Sequence, residues 1–150
     1  MVPRPAAFHQ RASGRLFTQL ESQLPPSLAV LQDFEVVTDS RYPPSVRAPD
    51  LVVAPEALIA DNPTRLDASD VLLAVEVLSP GTVRTDRVSK FVEYAAGGVS
   101  TYWIVDLRPP VSLSAYILVD GRYEVTAEGT GAVALLTPAT LTVDLDALLR

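Results

Sequence analysis

The stretch Leu72-Leu73-Ala74-Val75-Glu76-Val77-Leu78-Ser79-Pro80, answered after a polar interval by Tyr102-Trp103-Ile104-Val105-Asp106, decides how this chain folds. Each is a short, continuous apolar run closed by turn residues, the pattern of a strand covered on both faces. Between them, Thr82 to Ala96 reads as a helix with Val88, Phe91, Val92 and Ala95 on its apolar face and Asp86, Lys90 and Glu93 on the opposite stripe. Thr82 or Thr85 caps its start and Gly97-Gly98 stops it. Strand, helix, strand is the order of a parallel crossover.

Outward from this unit, Phe8, Ala12, Leu16, Leu20 and Leu24 recur every four positions between Ala7 and Leu24, with Phe17 beside them, as on a helix packed along one side. Leu28 to Thr38 reads as one extended, partly buried strand, and the proline-rich Asp39–Pro49 as a loop or hairpin end. Leu51-Val52-Val53-Ala54 is a third doubly covered strand, and Asp61-Asn62-Pro63 a turn. Leu113 to Val119 and Tyr123 to Ala127 flank Asp120-Gly121, a compact hairpin signal. A short strand near Leu141–Val143 and a helical turn toward Arg150 complete the chain. The expectation is an α/β chain in the α+β sense: a mixed sheet with flanking helices and a C-terminal antiparallel hairpin.

With 150 residues, 48% of them apolar and 20% charged, the chain is read as a single domain, residues 1–150, able to bury one substantial core. It contains no cysteine, which excludes disulfides, thiolate metal sites and cysteine nucleophiles. No run approaches the ~20 apolar residues of a membrane helix, and Met-Val-Pro-Arg-Pro lacks the apolar centre of a signal peptide, so no membrane association and a cytoplasmic location are expected. The net charge of −6 argues against a generally basic, nucleic-acid-coating protein. Arginines nevertheless gather at Arg4, Arg11 and Arg15 and at Arg41, Arg47, Arg84 and Arg87, enough to make one face locally positive. Gly-x-Gly-x-x-Gly and P-loop patterns are absent, which excludes the usual nucleotide-cofactor cradles. A serine triad would need His9, the single histidine, as its base, with Ser79 placed as a turn residue before Pro80.

Two acids stand where packing gives them no reason to be. Asp50 follows Pro49 at the start of the Leu51–Ala54 strand, and Glu76 interrupts Ala74-Val75 and Val77-Leu78. An ionised carboxylate in such surroundings is costly unless it is paired, hydrogen-bonded or bound to a metal. Mg²⁺ takes hard oxygen ligands and usually only one or two protein carboxylates. Asp50 and Glu76, with the backbone carbonyl of Val77, fit that need, and Lys90 on the following helix is placed to orient a water or offset developing charge. Each has a structural alternative: Asp50 as a backbone acceptor at a turn, Lys90 as one member of an ion-pair stripe with Asp86 and Glu93.

Pro49-Asp50, Glu76-Val77-Leu78-Ser79-Pro80, Asp86, Lys90, Glu93-Tyr94, Gly98-Val99 and Tyr102-Trp103-Ile104-Val105-Asp106 resemble the Uma2 family of bacterial proteins within the PD-(D/E)XK nuclease superfamily. The likeness runs from His9-Gln10 to the Asp120-Gly121-Arg122-Tyr123 hairpin. It implies a restriction-endonuclease-like core, metal-dependent cleavage of DNA, and Asp50 and Glu76 as ligands of Mg²⁺ or Mn²⁺. The superfamily lysine stands two positions after the acid, which here is Leu78, and the resemblance implies that Lys90 takes its place. Asp86 and Tyr94 are expected to order Lys90 and pack the helix, and His9 is expected as a helix-start residue. The chain begins almost at the family's His-Gln helix, so it is expected to lack the family's N-terminal segment. That shortening supports an alternative: a catalytically inactive domain of the same fold serving as an interaction module, with a homodimer expected.

Overall fold

A computed structural model describes residues 6–41, 43–78 and 84–150, with the side chains of residues 84–86 outside the description. The Ser79-Pro80 turn, the Thr82 cap and the Asp86 side chain expected above therefore lie outside the described residues. In chain order the elements are α1 (Ala7–Gln23), β1 (Leu28–Gln32), β2 (Val36–Asp39), β3 (Ser45–Arg47), β4 (Leu51–Pro55), α2 (Glu56–Ile59), β5 (Leu66–Asp67), β6 (Leu73–Leu78), α3 (Arg84–Gly97), β7 (Thr101–Asp106), β8 (Ser112–Val119), β9 (Arg122–Thr130), β10 (Ala132–Leu135) and β11 (Leu141–Asp144). Short 3₁₀ turns lie at Ala68–Asp70 and Asp146–Leu149.

Six strands form the central sheet in the order β1-β4-β6-β7-β8-β9. The β6–β7 pair is parallel, joined by α3 as a crossover, and every other pair in this sheet is antiparallel. The mixed α/β architecture expected from the order of elements is the one observed. Both faces of the sheet are covered, which is why β4 and β6 read as continuous apolar runs instead of alternating ones. Period-two alternation sends Val53, Val75, Val77, Trp103 and Val105 to one face, against Ala12, Leu16 and Leu20 of α1 and Val143, Leu145 and Leu148 of the C-terminal ribbon. Val52, Ala54, Ala74 and Tyr102 face the other way, against Tyr94 of α3 and Val36, Leu66 and Val71.

Two expectations are corrected by this packing. Leu28–Thr38 is not one strand: Asp33 adopts φ 50° and breaks it, leaving β1 in the main sheet and sending β2 into a separate three-stranded sheet ordered β3-β2-β5. Nor do Val88 and Val92 form the packed face of α3; they are 56% and 61% exposed, while Tyr94 is fully buried and Phe91 packs against its core. The aromatic face outcompetes the valine face because it meets Tyr102, Tyr116 and Tyr123 on the sheet, with Phe91 ring centroids 5.0 Å from Tyr116 and 5.3 Å from Tyr123.

The end of α3 is set by Gly98 at φ 94°, with Val99 N–H donating to the Tyr94 carbonyl and Gly98 N–H to that of Ala95, a Schellman closure. Gly97, one residue earlier, is required for a different reason: a Cβ there would lie 2.9 Å from Ala68 Cβ and 3.1 Å from the Thr38 carbonyl oxygen. The Asp120-Gly121 hairpin forms as expected, with φ of 49° and 78°, the left-handed pair a two-residue turn demands.

Gly97→Ala is expected to destabilise the protein by about 1–3 kcal/mol through overpacking at the α3–β2 contact. Gly14→Ala, where nothing lies within 4 Å of the new methyl group on α1, is expected to stabilise by about 0.5–1 kcal/mol. Urea denaturation of both variants beside the wild type checks the opposite signs.

Candidate active site

The register of β4 on β6 pairs Leu51 with Val75 and Val52 with Ala74. Continued by one residue, it sets Asp50 across from Glu76 at the mouth of the sheet. Both acids belong to the face that carries Val52 and Ala74, so both turn toward α3. The two sequence-predicted carboxylates are thus brought together, and α3 brings Lys90 to them.

Glu76 is 7% exposed. The Tyr94 hydroxyl donates to its Oε1 at 2.8 Å, and Lys90 Nζ lies 3.4 Å from its Oε2. Burial pushes the Glu76 carboxyl up to about 7, against the opposing pull of the Lys90 charge and reinforced by the nearby negative charge of Asp50. Burial also drives the Tyr94 hydroxyl far above its ordinary range, with Glu76 adding to the effect, so it remains a donor at any working pH. The helix that supplies Tyr94 and Lys90 is also tied to β3 by Arg47, whose Nε donates to Glu93 Oε2 at 2.6 Å. Of the expected ion-pair stripe, Glu93 therefore serves the β3 contact.

Asp50 is held from two directions. The Val77 backbone N–H donates to Oδ2 at 2.7 Å, and His9 Nε2 lies 3.1 Å from Oδ1. An extended residue points its N–H and C=O to the same side, as hydrogen-bonded pairs in an antiparallel ladder exchange both bonds. The Val77 carbonyl is accordingly on the Asp50 side of β6. The His9 pKa is raised, chiefly by the hydrogen bond to Asp50, so the imidazole favours its cationic form there.

Of these groups, His9, Asp50, Glu76, Val77 and Lys90 line a cavity of about 270 Å³ that also takes in Arg87, Leu78, Tyr102 and Ile104. Two residues of this site were not singled out as functional from the sequence. His9 starts α1 as expected, but it also reaches the site, occupying the buried end of the stripe in place of Phe8, which is 60% exposed. Its spacing of three from Ala12 and seven from Leu16 was the available signal. Arg87 stands three residues before Lys90 on α3, the spacing that puts two side chains on one helix face. Among the described residues no group of three or more His, Cys, Asp and Glu side chains is arranged as a metal cluster. What remains is a two-carboxylate oxygen set with a neighbouring carbonyl, the kind Mg²⁺ completes with water and substrate oxygens.

A mixed sheet with a parallel β-α-β crossover, covered on both faces and carrying two acids and a lysine at one end, is a restriction-endonuclease-like nuclease fold. The chain belongs to the Uma2 family: the family's sequence model, described as "Putative restriction endonuclease", matches residues 1–147. Among solved structures the chain is similar to a "putative nuclease belonging to DUF820" from Anabaena variabilis ATCC 29413, with a TM-score of 0.73 and 17% identity over 98% of this chain and 83% of that one. None of the curated proteins matches the chain. No helix among the described residues is long and apolar enough to cross a membrane.

Because the Glu76 carboxyl titrates near 7 when folded and near 4.5 as a free side chain, its proton is bound more tightly by the folded state. The associated stability is complete below 4.5 and is lost as pH rises through 7. Glu76→Gln, which keeps the shape without the charge, is expected to be more stable than wild type at pH 8 in chelator by up to about 3 kcal/mol, the gap closing toward pH 4.5. Denaturant midpoints of both proteins across that range provide the check; a gap independent of pH would sink the assignment of a buried, titrating Glu76.

Proposed function

We propose that this protein is a metal-dependent endonuclease, with DNA as substrate, in which Asp50, Glu76 and the Val77 carbonyl hold Mg²⁺ or Mn²⁺ and Lys90 acts on the reacting phosphate or its attacking water. The observation that carries this reading is the convergence of Asp50 and Glu76 from adjacent strands, and Lys90 from α3, on one cavity. When bound, the cation supplies Lewis-acid charge at the phosphoryl oxygens and makes a nearby water more acidic.

The protein's own groups do the rest. The Val77 N–H and His9 fix the Asp50 carboxylate, so one orientation is held before substrate arrives. Tyr94 fixes Glu76 in the same way. Glu76 in turn anchors the Lys90 ammonium at the cavity wall, where a positive donor stabilises charge that grows on phosphate oxygens in the transition state. A duplex phosphate approaching a chain of net charge −6 is met locally by His9, Arg87 and Lys90. Two copies of the Asp50–Glu76 pair, one per chain, would let both strands be cut in one encounter. We extend the proposal to a homodimer working in the cytoplasm.

A second reading, a catalytically silent domain of the same fold acting as a dimerisation module, draws support from one feature. Each of the four carboxylate oxygens already has a protein partner: His9, Val77, Tyr94 and Lys90. Such a self-satisfied site does not need a cation to be stable.

Calorimetric titration of Mn²⁺ at low salt separates the two. The nuclease reading expects saturable binding that Asp50→Asn and Glu76→Gln each weaken by tenfold or more, a loss of about 1.4 kcal/mol. It also expects nicking of supercoiled DNA that disappears in both variants and in Lys90→Ala. Absence of Mn²⁺ binding by the wild type would leave the silent module, whose dimer light scattering would reveal.

A further inference from the structure

We propose that Arg87 is the phosphate-binding residue of this site, receiving the non-bridging oxygens of a nucleic-acid phosphodiester. The inference rests on the nuclease reading above for its biological substrate, and on the distribution of charge in the cavity for its chemistry. Two of the three basic side chains lining the cavity already contact its carboxylates: His9 Nε2 lies 3.1 Å from Asp50, and Lys90 Nζ lies 3.4 Å from Glu76. Arg87 differs. Among the described residues no carboxylate comes within ion-pair distance of it, and its Nε is buried without a hydrogen-bond partner.

A buried donor left unsatisfied is destabilising, so the fold alone serves the Arg87 Nε poorly. That fault disappears when an anion with several acceptor oxygens enters the cavity. Phosphate has that chemistry: the guanidinium presents a planar fork that engages two phosphate oxygens at once, which an ammonium cannot do. The location suits the reaction as well. Arg87 is one helical turn before Lys90 on α3 and lines the same cavity as Asp50 and Glu76. A phosphate held by Arg87 would therefore sit beside the reacting centre. The two acids alone would repel that phosphate, and Arg87 offers a positive charge that, among the described residues, has no carboxylate within ion-pair distance to compete with it.

The test uses two probes on the full chain in chelator, so that binding is read without cleavage. Inorganic phosphate is titrated while the arginine side-chain N–H resonances are followed, and a labelled DNA duplex is titrated at several salt concentrations. In the wild type the Arg87 Nε–H resonance is expected to shift saturably with phosphate. Arg87→Gln is expected to weaken duplex binding by about tenfold or more and to lower the salt slope by about one phosphate contact. Arg87→Lys, which keeps the charge and guards against a folding defect, is expected to retain the salt slope and recover only part of the affinity. Phosphate binding through Arg87 with no duplex binding would uphold the anion site and count against the nuclease reading. Failure of phosphate to move the Arg87 resonance, or duplex binding unchanged in Arg87→Gln, would overturn the assignment of Arg87.

Discussion

A carboxylate in the middle of an apolar strand is the constraint on which this structure turns. Glu76 occupies a place on β6 where its neighbours on the same face, Ala74 and then Tyr102 of the adjacent strand, are core residues. Left alone there, the charge would cost several kcal/mol. Among the described residues its side-chain hydrogen-bond partners both come from α3, the Tyr94 hydroxyl and the Lys90 ammonium. To deliver both, the helix must present positions 87, 90, 91 and 94 to the sheet, and that orientation leaves Val88 and Val92 in solvent. Arg47 on β3, bound to Glu93, holds the helix in that rotation.

The same constraint organises the charge of the site. Each acid has a cation set against it, His9 from α1 for Asp50 and Lys90 from α3 for Glu76, so the cavity joins both layers that cover the sheet. At this end of the sheet His9, Arg87 and Lys90 line the same cavity as the two acids, in a chain whose net charge is −6. Net charge describes how the whole molecule behaves at long range; what a ligand meets at contact is the local arrangement. Affinity and chemistry in such a cavity depend on groups held before the ligand arrives, and the backbone N–H of Val77 does this for Asp50 at no cost in side-chain freedom.

Much of the fold was legible in local pattern. The continuous runs at β4, β6 and β7, the Gly97-Gly98 stop and the Asp120-Gly121 turn each carry their signal within a few residues, and each is observed. What local pattern missed has a common cause. The Leu28–Thr38 segment carries apolar residues on both sides of Gln32-Asp33, and its local pattern does not announce that Asp33 takes a left-handed conformation and separates two sheets. Strands of two to four residues such as β3 and β5 are stabilised by their partners across space, with almost no periodicity of their own. On α3 periodicity favoured the face made by Val88, Phe91, Val92 and Ala95, of which Val88 and Val92 are exposed, while an aromatic face of Phe91 and Tyr94 was also available. The aromatic one won because complementary rings waited on β7, β8 and β9.

The sequence by itself determined the order of elements, the family to which the chain belongs, and the suspicion that falls on Asp50, Glu76 and Lys90. These follow from residue type and spacing, because burial of a charge is a local conflict that can be read without coordinates. Tertiary structure alone decided that Asp50 lies across from Glu76, that Val77 turns its N–H to Asp50, and that His9, 41 residues away in the chain, closes the other side. It also decided that Arg87 lines the cavity with its Nε buried and, among the described residues, without a hydrogen-bond partner. Those facts depend on strand register and on how helices rotate against a sheet, and both are settled by the packing of the whole core.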